Sequence, residues 1–309
     1  MNHQHIEGMR GERLLEALTS GVDLSGLKNA DLDSCGLSEI PACIFHLVNL
    51  TSVSLYDNQL TQVPEAIALL PLLHTLNLGG NRLASLPESL GKLEQLEMLD
   101  LGHNQLFEVP ESLGNLHKLV FLYTSNNHLR ELPDSLEALE NLRYLNLTDN
   151  GLEELPSWIG KRRSLIELRV YNNQLAAIPD EIKGLTNLVE LHAQNNLIST
   201  LPETFGGLRM LQRLNLQSNR LTVLPDSIGS LARLTDLDLR FNHLSALPDS
   251  FAELHSLEYL DLRANALKEL PKNLEHLPRL RKLDLRWNRL EERPGCLEAL
   301  ARRGCIVYM

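Results

Sequence analysis

An asparagine recurs every 23 residues along most of this chain, and this strict period constrains the fold more than any other feature. The series is Asn58, Asn81, Asn104, Asn127, Asn150, Asn173, Asn196, Asn219, Asn242, Asn265 and Asn288. One step further back lies Cys35, a small residue that can take the asparagine position. A proline follows each of these positions six residues later, from Pro41 to Pro294. Such a period indicates a repeat protein in which each unit buries its apolar side against its neighbours.

Each repeat reads L-x-x-L-x-L-x-x-N-x-L-x-x-L-P-x-x-L-x-x-L-x. The L-x-L step, for example Leu76 and Leu78, predicts a short strand whose leucines point into the core. A buried asparagine must satisfy its amide group, so the recurring residue predicts a ladder of bonds to the turning backbone. Proline followed by an acid favours the first turn of a helix. Each repeat therefore predicts one strand and one short helical segment.

This pattern resembles the leucine-rich repeat family, in the 23-residue form of intracellular Ras-group-related proteins and many bacterial proteins, over about residues 24–309. The resemblance implies an α/β fold: a horseshoe-shaped solenoid with a parallel β-sheet on its concave face and short helices or turns on its convex face. Residues 1–23 are predicted to form a tail and a helical cap, residues 24–293 about twelve repeats, and residues 294–309 a C-terminal cap. In that last cap, the 23-residue step places Ile306 and Tyr308 at the two inward strand positions.

Composition and motifs exclude several classes of function. The net charge of −11 argues against nucleic acid as a partner, because phosphate binding needs a basic surface. No apolar run reaches the roughly 18 residues of a membrane span, so we expect no membrane insertion. No nucleotide, metal or catalytic motif occurs, and we expect no metal, no cofactor and no enzyme activity. The oligomeric state is left open, and a monomer is compatible with the sequence.

The compartment is predicted from the ends of the chain. The start lacks the apolar region of a secretory signal, which favours a cytoplasmic protein and leaves open export as an effector without a cleavable signal. Four cysteines lie in two terminal pairs, Cys35 with Cys43 and Cys296 with Cys305. Terminal disulfides would suit a secreted repeat protein. We expect free thiols instead, because no signal peptide is present.

The repeat positions that the core does not need are the candidates for binding. Counted from the first leucine of each repeat, positions 3, 5, 7 and 8 are predicted to face solvent on the concave side. The middle repeats carry apolar and aromatic residues there: Met98, Phe121, Tyr123, Tyr144 and Tyr171. One interpretation is that these side chains anchor a partner, and the other is that they only stabilise the sheet by cross-strand contact. We favour binding, because the other repeats manage without them.

Later repeats carry charge at the same positions. The remaining candidates for partner contact are Arg169, His192, Arg240, Arg263, Arg286 and Trp287. Three of them belong to the recurring phrase D-L-R, with Asp238, Asp261 and Asp284 at position 5. We expect that the repeat does not require these carboxylates or arginines, because earlier repeats carry Asn, Gly, Tyr and Ser there, so that they form two ladders of opposite charge. They either neutralise each other on a solvated face, which we favour, or offer the arginines to an acidic partner.

The predicted function is that of a non-catalytic protein–protein interaction module, a scaffold or adaptor that binds a protein on its concave face. Resemblance to the Ras-group-related repeats implies a signalling scaffold, and resemblance to the bacterial proteins implies an effector that engages a host protein. The alternative is a targeting or inhibitory subunit that acts on an enzyme in trans. Binding of a glycan or small ligand ranks last, because an open sheet lacks an enclosing pocket.

Overall fold

The computed structural model describes residues 9–291 and 294–309, so the first part of the predicted N-terminal tail and residues 292–293 lie outside it. The chain divides into two compact units, Met1–Gly151 and Leu152–Met309. In both units each repeat contributes one three-residue strand and one short helix. The predicted α/β class, a leucine-rich repeat solenoid with a parallel sheet, is confirmed.

The strands run parallel, in chain order, within each unit. Consecutive repeats are in register at 23 residues, as in the pair Ser52 and Thr75. The first unit contains β1 (Asn29–Asp31), β2 (Ser52–Ser54), β3 (Thr75–Asn77), β4 (Met98–Asp100), β5 (Phe121–Tyr123) and β6 (Tyr144–Asn146). The second contains β7 (Glu167–Arg169), β8 (Glu190–His192), β9 (Arg213–Asn215), β10 (Asp236–Asp238), β11 (Tyr259–Asp261), β12 (Lys282–Asp284) and β13 (Ile306–Tyr308).

Short 3-10 helices connect the strands on the opposite side of each unit. In the first unit they are η1 (Ala42–His46), η2 (Glu65–Leu69), η3 (Glu88–Lys92), η4 (Glu111–Asn115) and η5 (Asp134–Ala138). In the second they are η6 (Ser157–Lys161), η7 (Asp180–Gly184), η8 (Glu203–Gly207), η9 (Asp226–Ser230), η10 (Asp249–Glu253) and η11 (Lys272–His276).

The recurring proline starts each of these helices. It stands directly before the first helical residue, and its carbonyl accepts the first i→i+3 bond, as Pro64 does from Ile67 N at 3.0 Å. The acid that follows, such as Glu65, lies in the first turn. Neighbouring helices pack closely: a Cβ on Gly91 would overlap the carbonyl oxygen of Ser112 in the next repeat. Glycine is therefore required there by the approach of two backbones.

The asparagine at position 9 links three backbone segments. In the repeat of Asn104, the side-chain oxygen accepts from Leu83 N at 3.0 Å, and the amide nitrogen donates to Leu78 O and Leu101 O at 3.0 Å each. The other asparagines of the series repeat these contacts, for example Asn242 with the carbonyl oxygens of Leu216 and Leu239. Each asparagine therefore ties its own turn to the preceding repeat, beneath leucines that are almost completely buried.

Position 8, directly before each asparagine, has a left-handed backbone. Its φ values lie between 52° and 66° in every repeat from Ser34 to Trp287. Side chains at this position point to solvent at the margin of the sheet. Most members are glycine or short and polar residues, which tolerate positive φ best. Phe241 and Trp287 are the large exceptions.

Among residues 9–291 and 294–309, two α-helices lie near the chain ends. Helix α1 (Glu12–Thr19) buries Leu14, Ala17 and Leu18. Helix α2 (Cys296–Arg302) precedes β13, in which Ile306 pairs with Lys282 at a spacing of 24 residues. This extra residue reverses the two faces of the strand. The prediction that Ile306 and Tyr308 point inward is therefore wrong: they are 56% and 41% exposed.

Candidate functional site

The exposed sheet face of the first unit carries a cluster that we call the aromatic patch: Met98, Phe121, Tyr123 and Tyr144. The strand register places Met98 opposite Phe121 and Phe121 opposite Tyr144. The rings of Phe121 and Tyr144 stack with centroids 4.7 Å apart and planes 6° apart. Tyr123 is two residues from Phe121 on the same strand, and their centroids are 6.4 Å apart. The structure thus brings four of the five predicted apolar residues together.

All four side chains of the aromatic patch remain half-exposed. A stacked pair of rings stabilises a protein by about 0.5–1.5 kcal/mol beyond its buried area, so part of the patch serves the sheet. The rest of the apolar surface faces solvent. Toward the N-terminus the same face has small polar residues, such as Ser52 and Thr75. The fifth predicted residue, Tyr171, lies in the second unit after β7 and is also half-exposed.

The corresponding face of the second unit begins with a network of charges. Glu167 and Glu190 lie opposite each other in the register of β7 and β8. Arg169 Nε donates to Glu167. Glu190 contacts His192 Nε2 at 3.0 Å and accepts from Arg213 Nη1 at 2.8 Å. Two like charges on neighbouring strands would repel, and the two arginines offset this repulsion.

Three metal-ligating side chains meet in this network. Within residues 9–291 and 294–309, Glu167, Glu190 and His192 place ligand atoms within 4.8 Å of one another. A divalent cation there would displace the contacts of Arg169 and Arg213 with the same carboxylates. We therefore assign the cluster to charge balance on the sheet.

Beyond the network, the exposed face of the second unit has a shallow hollow of about 290 Å³. Cationic Arg213 and Lys282 line it together with Asp236, Asp261 and the exposed ring of Tyr259. Charges of both signs therefore lie beside the aromatic ring of Tyr259. Such a surface suits a peptide better than a uniformly charged ligand. Sequence reasoning missed Tyr259, although position 3 of its repeat was a visible signal.

The carboxylates of the D-L-R phrase make a hydrogen bond within the repeat that the sequence did not show, although Tyr123, Arg169 and His192 occupy the same position in other repeats. Asp238 Oδ1 accepts from the backbone N–H of Arg240 at 3.1 Å, two residues later. Asp100 and Asn146 make the same bond to position 7 in the first unit, at 2.9 and 3.1 Å. Asp and Asn both recur at position 5 because either side-chain oxygen closes this turn.

The arginines of the phrase are held by these carboxylates. Arg263 donates from Nη2 to Asp261 Oδ2 at 2.6 Å, and its Nε lies 3.5 Å from Asp284 Oδ2. Arg286 donates to Asp284 Oδ2 at 2.6 Å. Asp284 itself is 1% exposed, although position 5 was predicted to face solvent. The geometry is that of charges paired along the sheet.

The pKa directions follow from this pairing. Burial raises the pKa of Asp238, and the bonds and charge of Arg240 offset only part of the effect. Burial acts in the same direction on Asp284, but hydrogen bonds from Arg286 and the charges of Arg286 and Arg263 bring its pKa below the ordinary value. In the first unit, burial raises the pKa of Asp100, and no arginine charge acts to lower it as at Asp284.

At the margin of the second unit, Phe241 and Trp287 are 45% and 66% exposed. Their ring centroids are 6.4 Å apart, although the residues lie two repeats apart with Ala264 between them. The guanidinium of Arg286 stands 5.7 Å from the centre of the Trp287 ring and 5.2 Å from that of Tyr308. Reading position 8 as a column of Ser, Asp, Gly, His, Asn and Ala would have marked both aromatics as exceptions.

Comparisons with known proteins agree with this architecture. Models described as "Leucine rich repeat" match residues 25–83, 71–129 and 141–161, and one described as "Leucine-rich repeat region" matches residues 191–302. A solved leucine-rich repeat protein of Leptospira interrogans is 35% identical, with a TM-score of 0.87, over 93% of this chain and 73% of that one. The chain belongs to the leucine-rich repeat family. A search of curated proteins gave no match.

Two further similar structures were solved as complexes. One is the ectodomain of the Arabidopsis thaliana receptor kinase GASSHO1/SCHENGEN3 with Casparian strip integrity factor 2: 31% identity, TM-score 0.71, 89% of this chain and 37% of that one. The other comes from an octameric complex of Latrophilin 3, Unc5D and FLRT2: 27% identity, TM-score 0.68, 82% and 80% covered. The fold is thus one that serves as an interaction module. Among the described residues, no helix is long and apolar enough to span a bilayer.

Proposed function

We propose that the chain is a non-catalytic binding module that holds a protein partner against its exposed sheet face, with the aromatic patch as its main anchor. The main support for this proposal is the half-exposed stack of Phe121 on Tyr144, flanked by Met98 and Tyr123. Aromatic side chains on rigid strands lose little conformational freedom when a partner covers them, and such residues dominate binding energy at protein interfaces.

The neighbouring surface supports a protein as the partner. Position 3 of the first strands offers hydroxyl groups, such as those of Ser52 and Thr75, next to the patch. An apolar centre surrounded by small polar groups is the usual composition of a protein-binding surface. The structural relatives solved with Casparian strip integrity factor 2 and within the Latrophilin 3 assembly support the same class of role.

We further propose that the protein works in a reducing compartment, as a cytoplasmic scaffold or adaptor. The four cysteines are free thiols. Burial raises the pKa of the Cys296 and Cys305 thiols, which keeps them protonated and poorly reactive.

The proposal is tested by affinity purification and mass spectrometry with wild type and the variant Phe121→Ala/Tyr144→Ala. We expect the variant to lose the partner that wild type recovers at fixed stoichiometry. Its thermal midpoint should fall by only about 2–4 °C, because loss of the ring stack costs about 1 kcal/mol.

Tyr56→Ala is the matched control, because Tyr56 is an exposed aromatic of the same unit, 45% exposed and outside the patch. This variant should retain the partner. If the patch variant retains it as well, the proposed anchor is wrong. If the patch variant instead unfolds at a midpoint more than about 10 °C lower, the rings are needed for folding and the stabilising role prevails.

A further inference from the structure

We propose that the margin of the second unit is a second docking surface, for an acidic segment of another protein that carries a large apolar side chain. The surface, here the rim cluster, consists of Phe241 and Trp287 with Arg220, Arg289 and the imidazole of His243. This inference goes beyond the proposed function, because it uses another unit and another chemistry than the aromatic patch.

The first observation is that two large aromatics occupy a backbone conformation that disfavours them. Phe241 and Trp287 have φ values of 55° and 63°. Bulky side chains rarely adopt this left-handed region, and the fold accepts asparagine there, as at Asn195 with φ 54°. Burial does not offset this strain, since the rings are 45% and 66% exposed. The scaffold therefore does not account for their presence.

The second observation is the shape that the two rings create. They stand in repeats on either side of Ala264 and lean together to a centroid distance of 6.4 Å, with planes 33° apart. Alanine at 264 leaves the space between them free of any larger side chain. An apolar side chain of a partner can cover both rings from the solvent side, as anchors do at interface hot spots.

The third observation is a set of basic side chains at position 10, two residues after position 8 in the chain, with Ala266 between His243 and Arg289. Position 10 of successive repeats is placed side by side by backbone bonds, from His243 N to Leu221 O at 2.8 Å and from Arg289 N to Leu267 O at 2.9 Å. Arg220, His243 and Arg289 are exposed there. Within the part of the chain that the structure describes, none of the three forms an ion pair.

Arg220 and Arg289 differ from the arginines of the D-L-R phrase, whose charges are satisfied by neighbouring carboxylates such as Asp261. Two acids of the following loops, Glu269 and Glu291, line a cavity of about 670 Å³ that Lys268 and Lys272 also line. The rim cluster is thus locally basic on a chain of net charge −11. Carboxylates of a docking segment would supply the missing counter-charges.

The test is a selection of peptides from a displayed random library, of about twelve residues each, long enough to extend past the cluster. Wild type and the variant Phe241→Asn/Trp287→Asn are used in parallel, and asparagine is chosen because it suits the left-handed backbone. A second variant, Arg220→Glu/Arg289→Glu, keeps the rings and reverses the charge. His103→Asn is the control, a substitution at position 8 of the first unit at φ 55°.

We expect wild type to enrich peptides in which acidic residues surround a large apolar residue. Their affinity should fall about tenfold or more for the asparagine variant and for the charge-reversed variant, and the wild-type affinity should weaken with added salt. His103→Asn should bind as wild type does. The thermal midpoint of the asparagine variant should stay level or rise, since the substitution relieves strain.

The proposal is overturned if the enriched peptides lack carboxylates, if they bind either variant as well as wild type, or if wild type enriches nothing over the asparagine variant. Phe121→Ala/Tyr144→Ala is tested with the same peptides and should bind them normally. Loss of partner capture by that variant and loss of peptide binding at the rim cluster can therefore be told apart.

Discussion

The two units share one scaffold and differ in what they display on it. In the first unit, the exposed face around β4–β6 is apolar and aromatic, and its carboxylate Asp100 closes a turn without an arginine partner. In the second unit, positions 5 and 7 carry ion pairs such as Arg263 with Asp261 and Arg286 with Asp284. The same asparagine, proline and leucine positions support both.

This difference shows which exposed residues are available to bind a partner. Paired charges must lose their present partner before they can serve another, whereas exposed rings are available at once. The second unit therefore offers exposed side chains at the margin, at Phe241, Trp287 and the nearby Arg220 and Arg289, and the first unit offers the aromatic patch on its sheet face. A position that departs from the scaffold without a local partner is the best guide to a site in a regular repeat protein.

The largest expected effect is a loss of stability at position 9, where both units carry the buried asparagine. Asn104→Ala in the first unit and Asn219→Ala in the second should each lower the free energy of unfolding by about 3 kcal/mol, because each leaves buried backbone groups without a bond. Both asparagines make three equivalent contacts at 3.0 Å. Urea unfolding measures the loss, and the exposed Asn115→Ala is the control.

Equal losses would show that the scaffold is the same in both units, so that their differences lie in the exposed residues. Should Asn104→Ala cost less than half of Asn219→Ala, the first unit would be the less cooperative one. The comparison of the two faces would then include stability as well as chemistry.

The scaffold was largely predictable from sequence because its residues recur. The 23-residue step predicted the strands, the helical turns after each proline and the buried asparagines. It failed at β13, because helix α2 and its connection add one residue, so that Ile306 rather than Cys305 takes position 3. A period carries no information about an end where it stops.

The candidate sites were less predictable, since sequence shows composition and not contacts. Asp238 and its equivalents looked independent of the repeat because Asp, Asn, Tyr, Arg and His all occur at position 5. The bond to the backbone of position 7 explains the Asp and Asn members. Left-handed φ at position 8 is a backbone property, so the strain at Phe241 was hidden until the structure was known.

The next largest effect is a difference between the two units in how the free energy of unfolding depends on pH. At pH 7, Asp284→Asn should lower the free energy of unfolding by about 2 kcal/mol, because it leaves Arg263 and Arg286 without their shared carboxylate. The pKa of Asp284 is lowered in the folded protein, so its contribution is present above the unfolded value near 3.9 and is lost as the pH falls through the folded pKa. The penalty of Asp284→Asn should therefore shrink in acid.

Asp100→Asn is the matched substitution in the first unit, with the opposite sign. The pKa of Asp100 is raised, so its contribution is fully present below the unfolded pKa and declines as the pH rises through the folded one. Its replacement should leave stability at pH 7 unchanged or slightly higher, because an amide oxygen still accepts from Gly102 N. Urea unfolding of both variants at pH 7 and near pH 3 measures the contrast, and parallel pH profiles would contradict it.

The smallest effect concerns the outermost pair of the D-L-R phrase. Arg240 Nε lies 3.1 Å from Asp238 Oδ2, and both side chains are partly exposed, so a double-mutant cycle of Arg240→Ala and Asp238→Asn should give a coupling of about 0.5 kcal/mol. Salt near 1 M should reduce it. The same cycle on Phe121 and Tyr144 should give about 1 kcal/mol with little dependence on salt. If the ion pair proves the stronger coupling, the second unit relies on its exposed charges for stability, and those arginines are then the residues least available to a partner.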